Sequence, residues 1–98
     1  MARDTERSGL MNYIIGEKKY AGIRIKSVTG EPFYIKEASF ELSRDGVVVL
    51  SDICQIDRQK QILYAYLAPT IPGSYQLEFT YTIGIEDIKA RFGVIVKC

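Results

Sequence analysis

Alternation dominates this chain. From residue 75 to 83 the apolar side chains Tyr75, Leu77, Phe79, Tyr81 and Ile83 share one parity, and Gln76, Glu78, Thr80 and Thr82 share the other. That is the period of a strand with one buried and one wet face. Beyond Gly84-Ile85 the pattern resumes, with Ile88, Ala90, Phe92, Val94 and Val96 inward and Asp87, Lys89 and Arg91 outward. A two-residue type II′ turn at Gly84-Ile85 pairs Ile83 with Glu86, Tyr81 with Ile88 and Leu77 with Phe92, so apolar meets apolar except at the hairpin tip. Upstream, Ala38, Phe40 and Leu42 alternate with Ser39, Glu41 and Ser43 ahead of Asp45-Gly46, a second hairpin signal leading into Val47–Leu50. Ala21, Ile23 and Ile25 against Arg24 and Lys26 predict another strand, as do "QILYAYL" over 61–67 and "LMNYII" over 10–15. No stretch has helical spacing.

About seven short antiparallel strands, separated by turns at intervals of about ten residues, predict an all-β sandwich of Greek-key type. The stretch "APTIPGSY" then gains a meaning: the chain crosses between sheets, and Tyr75, after Pro72-Gly73, is placed to hydrogen-bond back to the crossing loop as a structural tyrosine corner. In this the sequence resembles the immunoglobulin-like β-sandwich family over residues 10–97. It departs from the antibody-type pattern, with no tryptophan where Phe40 must fill the core and no cysteine pair on the strands at 21–26 and 75–83. What remains is similar to the cysteine-free bacterial and phage modules. The run from "SFELSRDGVVVLSD" to "YQLEFTYTIGIEDIKARFGVIV" resembles the small amino-terminal modules of phage baseplate and tail-fibre proteins. That resemblance implies a virion-associated scaffold rather than a catalyst.

Length and composition narrow the reading. The 98 residues suffice for one domain, read as 10–98, behind a flexible polar tail at 1–9. Hydrophobic residues make up 47% and charged residues 26%, yet the apolar runs are too short for a membrane-spanning helix. The charged amino terminus lacks the unbroken apolar stretch of a signal peptide, so synthesis in the cytoplasm is expected. A net charge of +1 offers no basic face for nucleic acid. Cys54 and Cys98 are expected as free thiols.

Chemistry has little to work with. The chain has no histidine, which removes the commonest general base, the usual triads and most zinc sites. Glu86 and Asp87 are strand neighbours and diverge, as do Lys26 and Ser27, while Glu37 and Glu41 read as a solvated strand face. Asp45 and Asp52, at opposite ends of one strand, fall short of a calcium shell. No phosphate-cradling glycine loop is present. Catalytic, cofactor and metal residues are therefore expected to be none.

The oddity is "QILYAYL". With Leu63, Ala65 and Leu67 in the core, Ile62, Tyr64 and Tyr66 point outward, beside Arg24 and Lys26 of the neighbouring strand. Three uses fit such a strip. The rings can lie flat under the Arg24 and Lys26 stems with nothing bound. The face can serve a protein contact, through self-association or docking to a neighbouring subunit. As a carbohydrate-recognition module of a bacterial surface protein, the domain can stack the rings on sugars. Val47–Leu50 is a second candidate, an edge strand to which a partner's strand can add.

Overall fold

Two hairpins organise the larger sheet. In the computed structural model, which describes residues 3–6, 10–27 and 30–98, the strands are β1 (Arg3–Glu6), β2 (Leu10–Ile14), β3 (Lys19–Ser27), β4 (Ile35–Arg44), β5 (Val47–Ile53), β6 (Gln55–Asp57), β7 (Ile62–Leu67), β8 (Gly73–Ile83) and β9 (Glu86–Lys97). They form a four-stranded sheet, β1-β3-β7-β6, and a five-stranded sheet, β2-β9-β8-β4-β5. The fold is an immunoglobulin-like β-sandwich, with no helix among the described residues.

The β8–β9 register is the one that the alternation predicts: Ile83 lies opposite Glu86, Tyr81 opposite Ile88 and Leu77 opposite Phe92. Gly84 has φ +62°, and Ile85 is not in the left-handed region, as a type II′ turn requires. At the other hairpin Asp45 and Gly46 both have positive φ, 53° and 78°, which makes a type I′ turn. The inward residues of β8, namely Tyr75, Leu77, Phe79, Tyr81 and Ile83, are all buried, as are Ile23 and Ile25 of β3 and Leu63, Ala65 and Leu67 of β7. Full burial of a side chain such as Leu77 or Phe79 stabilises the sandwich by roughly 1.5–3 kcal/mol. Phe40, at the position where antibody domains place tryptophan, is buried too.

Three features differ from the sequence reading. Arg3–Glu6, within the segment read as a tail, is a strand paired with β3. Gln55–Asp57 is a short strand on the edge of β7. Finally, β2 pairs with β9 in parallel, Met11 opposite Val94 and Tyr13 opposite Val96, where all pairings were expected to be antiparallel. Alternation cannot signal the first two, because a strand of three or four residues completes at most two periods, and Arg3–Glu6 holds no apolar residue to alternate.

Before β8, the Tyr75 hydroxyl donates to the Ile71 carbonyl at 2.6 Å. Pro69 is buried beneath the crossing. This bond ties the β7–β8 loop to the strand that follows.

Candidate interaction surface

The outer face of the four-stranded sheet carries the predicted strip, and its register divides the strip in two. Tyr66 lies opposite Tyr20, Tyr64 opposite Gly22, and Ile62 opposite Arg24. Lys26 is two residues farther along β3, opposite Asp4 of β1. At about 3.3 Å per residue, Lys26 is roughly 13 Å along the sheet from the position of Gly22 and Tyr64. Lys26 thus stands at the far end of the face from the tyrosines, while Arg24 is one outward position from Tyr64.

Tyr64 lies over the gap at Gly22: a Cβ there would meet Tyr64 Cε1 at 3.0 Å and Cδ1 at 3.2 Å. Tyr20 packs against both partners, edge-on to Tyr64 at 6.1 Å between ring centroids and tilted to Tyr66 at 5.0 Å. Its hydroxyl accepts from Gln55 Nε2 at 3.2 Å. Tyr64 is thus received by Gly22, and Tyr20 joins Tyr64 and Tyr66 in one aromatic cluster. Tyr20 was missed, although it shares outward parity with Gly22 and Arg24.

The larger feature is β5. All seven of its residues are exposed, on both faces. Five are apolar: Val47 (64% exposed), Val48 (48%), Val49 (54%), Leu50 (37%) and Ile53 (78%). The cause is a mismatch between the sheets. As the last strand of its sheet, β5 needs a counterpart across the sandwich, and the strand that should supply one, β6, has three residues and covers only Ile62–Tyr64 of β7. At Cys54, whose N–H donates to the Ala38 carbonyl at 2.9 Å, the chain leaves one sheet for the other. The β5 ridge therefore overhangs a groove of about 1020 Å³.

Val47, Val49 and Leu50 form one wall of this groove and Tyr66 and Ile71 stand on the other. Arg44, Asp45, Asp52 and Gln55 supply polar groups. Arg44 leans toward the Tyr75 ring, 6.0 Å from its centroid. The β4–β5 register slips between Leu42, opposite Leu50, and Ser43, opposite Val48, so Val49 is an extra residue in a bulge. Ile71, 52% exposed, was not foreseen: it sits in an irregular loop where neither parity nor motif marks it.

Both cysteines are free, Cys54 buried and Cys98 exposed. Cys54 reaches the groove, but burial, with a smaller contribution from the Asp52 carboxylate, pushes its thiol up to about 12, far from a reactive thiolate at neutral pH. Among the described residues no three His, Cys, Asp or Glu side chains gather as a metal site would require. Glu86 and Asp87 stay apart in role as well as direction, since Asp87 accepts from the Thr82 hydroxyl at 2.7 Å.

No known family matches the sequence, and no curated protein does. Solved structures do match in shape. An engineered protein aligns with 99% of the chain at TM-score 0.78 and 14% identity; the chain spans one fifth of that protein's length. CopC from Methylosinus trichosporium OB3b aligns over 96% of the chain and 89% of its own, at TM-score 0.66 and 17% identity. The titin M3 domain aligns over 98% and 97% at TM-score 0.56 and 13% identity. These likenesses establish the immunoglobulin-like sandwich and nothing finer.

Proposed function

We propose that this domain is a non-enzymatic structural and protein-interaction module, a rigid sandwich that presents its β5 ridge and groove to another protein subunit. The observation that carries this reading is the uncovered apolar strand β5, whose Val47, Val48, Val49, Leu50 and Ile53 are 37–78% exposed, since clustered exposed apolar side chains mark interaction sites. Apolar walls, a polar rim and tyrosines nearby are the composition of a contact surface. The finer reading, that the assembly is a phage or prophage tail, baseplate or fibre, rests on the sequence resemblance to such modules. Co-expression with the products of neighbouring genes tests it: a tail subunit should co-purify with the native chain, and Ile71→Lys should cut that capture by about 30-fold or more, as loss of an interface hot spot does. Capture undiminished by Ile71→Lys, with the variant folded, would refute the groove as the contact.

Sugar binding is the second reading, favoured by Tyr20 and Tyr66 beside Asp45, Asp52 and Gln55 at the groove. A glycan array with no signal above background disposes of it.

A further inference from the structure

The ridge and the groove lie side by side on one molecule, share an apolar character, and are bounded by groups of opposite charge. From this we infer that the natural occupant of the groove is the β5 ridge of a second copy, the two chains meeting about a two-fold axis with each ridge seated in the other's groove. The inference rests on the interaction-module reading and names its partner.

Exposure is the first argument. Val47, Val49, Ile53, Ile71, Tyr20 and Tyr66 are 46–78% exposed. With Val48 and Leu50 they leave eight large apolar side chains substantially uncovered around the ridge and groove, the kind of surface that marks a protein contact. A surface holding both a ridge and a groove matches itself, and self-matching is what a two-fold contact demands.

Charge is the second. The domain carries a net charge of +1, so two copies repel little. Asp52 stands near the Cys54 end of β5, and Arg44 stands across from Val47 at the hairpin end. An antiparallel two-fold meeting brings the Asp52 end of each ridge to the Arg44 end of the other. A parallel meeting would set Asp52 against Asp52. Asp45 lies beyond Arg44 at the exposed hairpin tip, where water screens it.

The bulge at Val49 decides how the copies meet. It interrupts the even spacing of backbone groups that edge-to-edge strand pairing needs, a device that keeps sheet edges from joining. Seating by side chains requires no such regularity, and it uses Ile71 on the far wall, which edge pairing would leave untouched.

Sedimentation equilibrium across a concentration series tests this. The native chain should dimerise, and Ile53→Lys on the ridge and Ile71→Lys on the far wall should each weaken the dimer by about 30-fold or more. Asp52→Arg should weaken it by about tenfold, with Asp52→Arg/Arg44→Glu restoring it. Thermal unfolding of each variant at low concentration checks that it folds, and Ile53 and Ile71 are exposed enough to be replaced without touching the core. A native chain that stays monomeric at about 1 mM overturns the inference. So does a dimer broken by Ile53→Lys but indifferent to Ile71→Lys. A monomeric chain that still captures a co-expressed subunit ends self-association and spares the module; one that captures nothing ends both.

Discussion

Tyr64 owes its place to an absent side chain. Its ring occupies the space a Cβ at residue 22 would need, at 3.0 Å, and Tyr20 holds it from the other side. Alanine in a strand should otherwise stabilise relative to glycine by roughly 0.5–1 kcal/mol. Gly22→Ala should therefore destabilise the native chain, yet stabilise a Tyr64→Ala background, a coupling of at least about 0.5 kcal/mol in a double-mutant cycle read by urea unfolding. Additive effects would show that the ring does not depend on the gap. Cys54 makes a second residue-scale test. Because its thiol is raised from 9.0 to about 12 in the fold, it contributes stability below pH 9 that is lost as pH climbs toward 12. The stability of Cys54→Ala should fall less steeply than that of the native chain between pH 9 and 12. At pH 8, Cys98 should react with a thiol reagent at once, and Cys54 only on unfolding.

At the scale of elements, the strands of the larger sheet reveal one unfavourable pairing on their wet face. Glu41 of β4 lies directly opposite Glu78 of β8. Glu78 is offset by Arg91 and Lys89 of β9, and hydrogen bonding to Arg91, more than any other cause, holds its carboxyl below the usual range. Opposite charges across a strand pair are worth about 0.2–1 kcal/mol, and like charges cost similarly. Glu41→Lys should raise the unfolding free energy read from urea titration by that order, and the gain should shrink in high salt as screening takes over. No gain at low salt would mean that Arg91 and Lys89 already satisfy Glu78. The β8–β9 hairpin was legible in full because turn chemistry and parity agree on the register, from Gly84 through to Leu77 and Phe92; of the β4–β5 hairpin the turn was legible and the bulge at Val49 was not. β6 was not legible, and its shortness is what bares β5.

For the whole molecule, parity assigned each long strand an inside and an outside and placed Tyr75 at the crossing, since these depend on residues two positions apart and on the turns between them. The sequence by itself therefore determined an all-β sandwich, its β8–β9 register and its core. It also flagged Tyr64, Tyr66 and Val47–Leu50 as apolar beyond what a strand needs. Tertiary structure decided where those residues stand: Lys26 far from the tyrosines, Tyr20 among them, and Ile71 in the lining of the groove beside β5. Whether an apolar side chain is covered depends on what the opposite sheet brings to face it. Here a three-residue β6 brings too little, a quantity that no periodicity within β5 could encode.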